Sequence, residues 1–356
     1  MNQSWQYTRQ GMLSETLEKV EGPIPTPASE EIVVRVKAIS LNPIDYKLAS
    51  FPAYIRRGMG ARPYGEPSVP CFDFAGVVHS VGSGAGEWTE GEEVFGRIVR
   101  SAASGSMQRY VAVSSSTAMT RKPAGLSWEQ AAAIPLVYMT VYGCLVNIGH
   151  LPFKPTEQEK GKRSVLILGG SGGAGTQAIQ LAKAMGLNVV TTCSKSSDEM
   201  VKKLGADETI DYRTENVGKK ATTSKYAPFA VVLDCVGGTD AIPYMDQLLL
   251  EDPKHPELGV YVSISGDLPP HEPMQLGSAI MHVGRQTLRG IRGSLNPYIP
   301  SWFPLRPWFA NKRYQFYLSV PERRMMETVP AFLEHAKEVL VDEVFDFEVT
   351  LEGGFR

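Results

Sequence analysis

The stretch LILGGSGGAGTQ, residues Leu166 to Gln177, sets five glycines and a serine between an apolar run and an amphipathic segment. Residues 170 to 175 fit the pattern G-x-G-x-x-G, which follows a predicted strand, Ser164 to Leu168, and opens a predicted helix. In that context the pattern predicts a dinucleotide site, because glycines let the backbone approach a pyrophosphate and a helix N-terminus offers free N–H groups. A tight turn without a ligand is the alternative. The predicted cofactor-binding residues of the loop are Gly170, Ser171, Gly172, Gly173, Ala174 and Gly175.

The end of the next predicted strand, Val189 to Cys193, indicates which dinucleotide is bound. An NAD site usually has Asp or Glu about 20 residues after the glycine loop, where the carboxylate binds the ribose 2′-hydroxyl. Ser194 and Lys195 occupy that place here. A hydroxyl and an ammonium group would bind a 2′-phosphate that a carboxylate would repel, so the sequence favours NADPH. A solvated surface lysine is the alternative interpretation of Lys195.

Strands and helices alternate after Leu151, which predicts a parallel sheet of the doubly wound α/β class. The other predicted strands of this sheet are Glu208 to Asp211, Ala230 to Cys235, Val260 to Ser265 and Thr287 to Ile291. The first 120 residues show β-strand patterns separated by Gly and Ser clusters. Their predicted strands are Glu31 to Ser40, Phe72 to Val81, Glu93 to Val99 and Met107 to Val113.

The composition is that of an ordinary globular protein, with 43% apolar and 21% charged residues. A net charge of −2 gives no support for nucleic-acid binding. The N-terminus lacks the apolar core of a signal peptide, so we expect a cytoplasmic protein. The four cysteines are far apart in sequence, which disfavours both a disulfide framework and a zinc site and predicts buried free thiols.

One uncharged segment, Ala131 to Gly149, is nearly long enough to span a bilayer. It contains Pro135, Thr140 and Asn147, and no basic flank follows it. We therefore expect a buried helix between two domains and no membrane span.

Several further segments form a more specific pattern than the glycine loop alone. They are SLNPIDYK (Ser40 to Lys47), VPCFDFAGVVHSVG (Val69 to Gly82), GEEVFG (Gly91 to Gly96), KPAGLSWEQAAAIPLVYMTVYGCL (Lys122 to Leu145) and, after the loop, LGADETIDYR and DCVGG. In this order they resemble the medium-chain dehydrogenase/reductase superfamily, and within it the zinc-independent quinone oxidoreductase and enoyl reductase branch.

The resemblance implies a GroES-like partial β-barrel and a doubly wound Rossmann domain, with the active site in the cleft between them. We expect residues 1–130 to form the GroES-like catalytic domain, residues 131–292 the Rossmann domain, and residues 293–356 a return to the catalytic domain. Family members usually end on a further helix and strand, so the resemblance also implies a truncated tail.

Zinc alcohol dehydrogenases of the superfamily bind a catalytic metal through Cys and His. Asn42 stands at the first ligand position here, and Phe72 precedes Asp73 without a His–Glu pair, so we expect no metal. The resemblance then implies an NADPH-dependent reductase of a quinone or of an activated C=C bond, as in an enone or enoyl thioester. Two alternatives stay open: an enoyl reductase acting in trans on intermediates held by a biosynthetic synthase, and a non-catalytic NADPH-binding sensor or scaffold.

The resemblance also assigns candidate roles to single residues. The candidate catalytic residues are Asn42 and Thr140, which would border the nicotinamide, and Tyr46 and Lys47, which would face the cleft. The remaining candidate cofactor residues are Tyr212, beside the 2′-phosphate, and Val236, Gly237, Ile264 and Ser265, in the cofactor groove. Tyr54 and Tyr64 are further candidate proton donors. In the simpler alternatives Tyr46 packs, Lys47 is a surface charge, and Thr140 bonds to its own backbone.

An aromatic stretch, Trp302 to Tyr317, has no clear counterpart in the compact family members. It could form a wall for a bulky apolar substrate, contribute to a homodimer or synthase contact, or simply pack.

Overall fold

The structure is a computed structural model that describes residues 1–58, 60–98, 105–237, 240–265, 314–317 and 322–336. Its strands form one antiparallel sheet of five strands, one parallel sheet of six, and a two-stranded hairpin. The expected combination of a GroES-like β domain and a doubly wound α/β domain is confirmed.

The antiparallel sheet is built from the N-terminal part of the chain. Its strands are β3 (Glu31–Ser40), β4 (Asp73–Val81), β5 (Glu93–Arg97), β6 (Tyr110–Ser114) and β7 (Ala118–Arg121), in the spatial order β6-β3-β4-β5-β7. The small sheet pairs β1 (Asn2–Gln6) with β2 (Glu18–Gly22). The core of this domain includes Val34, Phe74, Val94 and Trp88, all buried. Three short helices lie here: α1 (Leu13–Thr16), α2 (Pro43–Ser50) and α3 (Ala53–Gly58).

The parallel sheet has the strand order of a dinucleotide-binding domain. Its strands are β8 (Ser164–Leu168), β9 (Asn188–Cys193), β10 (Glu208–Asp211), β11 (Val231–Asp234), β12 (Val260–Ser263) and β13 (Tyr314–Phe316), in the order β10-β9-β8-β11-β12-β13. Every residue of β8, β11 and β12 is buried, as expected where helices cover both faces of a sheet. The strand order reverses between β8 and β11, and ligands bind at such a point, outside the carboxyl ends of the strands.

Among the described residues, four helices connect the strands β8 to β12. They are α6 (Gly173–Ala184), α7 (Asp198–Leu204), α8 (Val217–Thr222) and α9 (Met245–Leu248), with short 3₁₀ turns at Lys195–Ser197 and Ile242–Tyr244. Two further helices, Arg323–Met326 and Val329–Leu333, follow β13. Gly186 and Gly205, both at positive φ, follow α6 and α7, which suits the left-handed conformation that commonly ends a helix.

The parallel sheet extends beyond residue 292, the predicted end of the Rossmann domain. Tyr314, in the segment assigned to the return, pairs in parallel with Tyr261 of β12, and the two rings stack with centroids 5.5 Å apart. A strand of three residues is too short to show a period-two pattern, so the sequence did not predict it. The predicted sixth strand, Thr287 to Ile291, lies outside the described residues.

A continuous helical run lies between the two sheets. It comprises α4 (Trp128–Ala132), α5 (Pro135–Tyr142) and a π-helical segment, Gly143–Ile148. Ile134 and Tyr138 share one buried cluster with Phe95 of the antiparallel sheet and Ile167 of the parallel sheet. Among the described helices, this run alone has the length and apolar character needed to cross a membrane, and 61% of its most apolar window is buried within the protein. That burial fits the expected helix between domains.

All four cysteines are free thiols, and Cys71, Cys144 and Cys193 are buried, as the sequence predicts. Burial raises the pKa of the Cys144 thiol.

Candidate cofactor and active site

The glycine loop connects β8 to α6 and is held by the neighbouring strand. Gly169 adopts φ +85°, a conformation that glycine tolerates without strain. Its N–H donates to Oγ1 of Thr192 at 2.8 Å, and the N–H of Gly170 donates to the Thr192 carbonyl at 2.8 Å. The β9 strand therefore fixes the start of the loop.

The four glycines that follow Gly169 in this loop divide into two pairs. A Cβ at Gly170 would lie 2.1 Å from Thr191 Oγ1, and one at Gly175 would lie 2.1 Å from the Gly169 carbonyl oxygen. These two glycines are needed for packing. A Cβ at Gly172 would be no closer than 3.6 Å to any atom, and one at Gly173 would meet nothing within 4 Å.

The open pair forms an exposed face beside the first turn of α6, together with Ser171. Helix N–H groups and the positive end of the helix dipole favour an anion there. This arrangement fits a pyrophosphate, which needs close backbone approach and no intruding side chain.

Serine hydroxyls cluster at the carboxyl end of β9. Ser194 Oγ lies 2.9 Å from Ser196 Oγ and 3.3 Å from Ser197 Oγ. The side chain of Lys195 is 86% exposed, with its Nζ 3.9 Å from Asp198 Oδ2. Both pieces of the predicted 2′-phosphate site, the hydroxyl and the ammonium, thus lie at one strand end.

The nearby acid, Asp198, is engaged by other groups. Its carboxylate accepts from Thr209 Oγ1 at 2.5 Å and from Lys202 Nζ at 3.0 Å. The hydrogen bond from Thr209 and that from Lys202 hold the pKa of Asp198 below its usual value. Tyr212 is exposed at the end of the adjacent strand β10, with the Arg213 guanidinium 5.8 Å from its ring centroid. The sequence motifs did not single out Arg213, which adds a cation at this edge.

The loop after β11 meets the glycine loop at the point where the strand order reverses. Asp234 accepts the N–H groups of Val236 at 3.0 Å and Gly237 at 2.8 Å. The Val236 side chain is 54% exposed, and a Cβ at Gly169 would lie 2.5 Å from its Cγ2. Val236 thus stands beside the predicted pyrophosphate site, with its side chain open to a ligand.

Asp234 holds this loop in place through the hydrogen bonds that it accepts, and no sequence motif indicated this role. Burial raises its pKa, although the N–H groups of Gly237 and Val236 and the hydroxyls of Ser263 and Tyr261 oppose that effect. Ser265, one of the predicted groove residues, donates its hydroxyl to the Cys235 carbonyl at 2.9 Å, and the N–H of Ile264 donates to the Asp234 carbonyl at 3.0 Å.

Asn42 is buried at the start of α2 and its amide is engaged. Its Nδ2 donates to Asp73 Oδ2 at 2.9 Å, and its backbone N–H donates to Asp45 Oδ2 at 2.7 Å. The structure therefore places this candidate against Asp73. Tyr46, on the same helix, is 41% exposed, and Lys47 is half-buried.

The two later tyrosines differ. Tyr54 is exposed on α3. The Tyr64 hydroxyl bonds to the carbonyls of Ala49 at 2.8 Å and Phe51 at 2.7 Å. Burial raises the pKa of Tyr64 to about 12, with Arg56 opposing. These contacts favour a structural role for Tyr64.

Thr140 is buried on α5, and its hydroxyl donates to the Leu136 carbonyl at 2.7 Å. This is the backbone contact that the simpler alternative expects. The oxygen keeps lone pairs that can accept from a ligand amide.

Two buried side chains of opposite charge, Asp73 and Arg97, lie behind Asn42. Asp73 and Arg97 are cross-strand neighbours on β4 and β5, and both are almost fully buried. Burial raises the pKa of Asp73 to about 7, while Arg97, Asn42 and the Leu136 N–H act in the opposite direction. Burial also lowers the pKa of Arg97, against the influence of Asp73, Asp45 and Tyr317. No sequence motif indicated this pairing.

Of the aromatic stretch, Tyr314 and Tyr317 can be placed. Tyr314 is a buried residue of strand β13. Tyr317 is half-buried and packs on the helical run, since a Cβ at Gly143 would lie 2.1 Å from its hydroxyl. Residues 302–313 lie outside the described residues, so a substrate wall there stays a prediction.

The donor set does not fit a zinc ion. Within the described part of the chain, no group of three or more His, Cys, Asp and Glu side chains is placed to hold a metal. Asn42 and Phe72 supply neither thiolate nor imidazole.

Two family models match the chain. Residues 28–124 match the alcohol dehydrogenase GroES-like domain, and residues 173–302 match the zinc-binding dehydrogenase family. The second description names a metal that the residues at this site do not fit.

Two curated relatives are similar over most of the chain. The chloroplast envelope quinone oxidoreductase homolog of Arabidopsis thaliana is 34% identical over 237 residues, which is 65% of this chain and 68% of the relative. The 2-methylene-furan-3-one reductase of Solanum lycopersicum is 35% identical over 243 residues, 66% of this chain and 57% of the relative.

Two solved structures share the fold. The quinone oxidoreductase from Coxiella burnetii is 25% identical, with a TM-score of 0.69 over 97% of this chain and 92% of the other. A mycobacterial protein in complex with NADPH is 26% identical, with a TM-score of 0.57 over 78% of this chain and 79% of the other.

Proposed function

Because the chain belongs to the medium-chain dehydrogenase/reductase superfamily, in its quinone oxidoreductase branch, we propose that it is an NADPH-dependent reductase of quinones or of activated C=C bonds. The observation that carries this proposal is the contact of Asn42 with Asp73, at the position where a zinc enzyme would need its first ligand. A reaction that needs no metal is therefore favoured.

The cofactor part of the proposal rests on two separate features. The open face at Gly172 and Gly173 suits a pyrophosphate. The hydroxyls and ammonium at Ser194 and Lys195 suit a 2′-phosphate, and a solved relative binds NADPH.

When bound, the cofactor supplies a hydride to the substrate. If the acceptor is a conjugated carbon, negative charge develops on a remote oxygen as an enolate or phenolate, which hydrogen-bond donors can stabilise. Tyr46 and Lys47 on α2 offer a phenol and an ammonium for this purpose. The Thr140 oxygen, with its proton bonded to Leu136, can accept from the carboxamide of the cofactor.

The substrate class follows from the same reasoning and from the relatives. Reduction of an isolated ketone needs strong polarisation of its oxygen, whereas a quinone or enone spreads the charge. The curated relatives are named for a quinone and for a 2-methylene-furan-3-one. An enoyl thioester has the same conjugated acceptor.

The experiment is NADPH oxidation with a quinone, a 2-enone and an enoyl thioester. We expect turnover of at least one of them. Binding of NADPH without turnover of any of the three would contradict the reductase and favour the sensor or scaffold alternative. Turnover of the enoyl thioester alone would favour the enoyl reductase that acts in trans.

Lys195→Asp tests the choice of cofactor. A carboxylate in place of the exposed ammonium would repel the 2′-phosphate, so we expect the Kd of NADPH to rise about 10-fold while that of NADH stays the same. Lys162→Asp is the matched control, because Lys162 is also exposed but precedes β8 at the opposite edge of the sheet. An equal loss of affinity for NADPH and NADH would contradict the assignment of Lys195 to the 2′-phosphate.

We further propose a cytoplasmic protein whose substrate is a bulky, apolar small molecule and whose partner is a second copy of the chain or a biosynthetic synthase. The charge balance supports no nucleic-acid partner.

A further inference from the structure

Asp73 is a buried carboxylate that contacts the starts of two helices, α2 and α5, whose predicted roles differ. Its Oδ2 accepts from the Asn42 amide at 2.9 Å. Its Oδ1 and Oδ2 accept from the backbone N–H of Leu136 at 3.1 and 3.3 Å. Asn42 begins the helix that carries Tyr46 and Lys47, and Leu136 lies in the first turn of the helix that carries Thr140.

The contact to Leu136 also connects Asp73 to Thr140 through the backbone of this single residue. Leu136 donates its N–H to Asp73 and accepts the Thr140 hydroxyl at its carbonyl, 2.7 Å away. Pro135 precedes it and has no N–H, so the Leu136 N–H is the first backbone N–H of helix α5. A carboxylate at this end of a helix is also favoured by the helix dipole.

The chain places Asp73 at this point by an unusual backbone conformation. Cys71, two residues earlier, has φ +68°, where a residue with a side chain is strained. The Ser106 N–H donates to the Cys71 carbonyl at 2.8 Å, and the Ser106 hydroxyl donates to the Asp73 carbonyl at 2.6 Å. Strain that is held in place by such bonds is commonly found at functional sites.

The charge of Asp73 is balanced from the elements around it. Arg97 faces it from β5. Asp45 of α2 and Tyr317, after β13, also act on Arg97 electrostatically. Cys71 lies near both Asp45 and Asp73. An ionised Asp73 is therefore matched by one guanidinium and by the donors of Asn42 and Leu136.

We propose that Asp73 is a positioning residue for the reaction: its carboxylate ties the Asn42 amide to the first turn of the helix that carries Thr140. The substrate-side helix α2 and the nicotinamide-side helix α5 are thereby held in one relative geometry. This inference rests on the proposed reductase function for its meaning in catalysis, although the tie itself can be measured without turnover.

Asp73→Asn and Asp73→Ala test the proposal, with Asp207→Asn as the control. Asp207 also accepts a backbone N–H, that of Val189 at 2.7 Å, and pairs with Lys183, but it lies at the amino edge of the parallel sheet. Misplacement of reacting groups by about 1 Å can reduce a rate on the order of 10²-fold. We expect a kcat loss of that order in both Asp73 variants, with the Kd of NADPH unchanged within about 3-fold.

The pH profile distinguishes positioning from a general loss of structure. The ionised carboxylate is the form that accepts both N–H groups, so wild-type kcat should fall as the pH drops below about 7. Asp73→Asn should lose this acid limb, and Asp207→Asn should keep it. A kcat within about 3-fold of wild type in Asp73→Ala, or an acid limb that persists in Asp73→Asn, overturns the proposal.

Hydrogen exchange separates this proposal from the proposed function. We expect faster exchange in Asp73→Ala for the peptides that contain Leu136 and Asn42, and no change in Asp207→Asn. If the wild type reduces no substrate but both peptides exchange faster, the reductase fails and the tie stands. If exchange is unchanged, the tie is refuted whatever the activity. If Asp73→Ala does not fold, Asp73→Asn replaces it in the kinetic and hydrogen-exchange measurements, because it keeps the shape of the side chain.

Thermal unfolding of Asp73→Asn gives an independent prediction. The pKa of Asp73 is raised from 3.8 to about 7 in the folded protein. When the pKa of an acid is higher in the folded protein than in the unfolded chain, ionisation of that acid opposes folding. The stability that the protonated Asp73 carboxyl contributes is therefore complete at low pH and is lost as the pH rises through this window. We therefore expect the Tm of Asp73→Asn to gain on that of wild type between pH 4 and about 7. A constant difference in Tm would show that Asp73 does not titrate there.

Discussion

Gly175→Ala is expected to abolish NADPH binding and to destabilise the Rossmann domain. The new Cβ would lie 2.1 Å from the Gly169 carbonyl oxygen and 2.6 Å from the Gly170 Cα, both of them backbone atoms that cannot rotate away. Helix α6 would have to move off the loop. Overpacking of this kind typically costs about 1–3 kcal/mol of unfolding free energy, and a clash with fixed backbone atoms is expected at the upper end. Urea unfolding and NADPH titration measure the two effects.

Gly173→Ala is the matched control for the same loop. Its Cβ would meet nothing within 4 Å, and the residue opens α6, so we expect an unchanged or higher Tm. The methyl group would nevertheless project into the open face, and we expect the Kd of NADPH to rise about 10-fold. Normal binding by Gly173→Ala would show that the pyrophosphate does not lie on this face.

The second large expected effect is a loss of stability in Arg56→Ala, because Arg56 holds the segment after α2. The guanidinium is buried and donates to the carbonyls of Leu48 at 3.1 Å and Arg62 at 2.6 Å, and to the hydroxyls of Tyr7 and Ser68. It also lies 4.9 Å from the Tyr7 ring centroid, within range of a cation–π contact. Removing it leaves four polar groups without this donor, three of them in buried contacts.

We expect Arg56→Ala to lower the unfolding free energy by about 3 kcal/mol, because buried groups that lose a partner carry a desolvation penalty. Arg57→Ala, one residue further on and exposed, should stay within about 0.5 kcal/mol of wild type. Chemical denaturation of both variants measures the difference. Equal stability of the two would mean that the buried guanidinium is not needed to hold this segment.

Local patterns predicted much of the fold. The bounds of Ser164–Leu168, Glu208–Asp211 and Glu31–Ser40 agree with the structure, because each is an apolar or alternating run that ends at turn-forming residues. The α7 helix, Asp198–Leu204, is likewise ended by a local signal, since Gly205 follows it at positive φ. These features depend on neighbours within a few residues.

The polar networks could not be predicted in the same way. Asp73 and Arg97 become partners only because β4 and β5 pair in one register, and no spacing in the sequence reports that. Arg56 is similar, since its acceptors come from Tyr7, Leu48, Arg62 and Ser68. The resemblance implies that Asn42 borders the nicotinamide, but its hydrogen bond to Asp73 depends on a strand that begins 31 residues later.

The division of the loop glycines into a packed pair and an open pair has an evolutionary consequence. Change at Gly170 and Gly175 is limited by the fold itself, even in a descendant that no longer binds a nucleotide. Change at Gly172 and Gly173 is limited only by the ligand. A lineage that had lost its cofactor would therefore keep the first pair and drift at the second, so that the two open positions record nucleotide binding and the full G-x-G-x-x-G pattern does not.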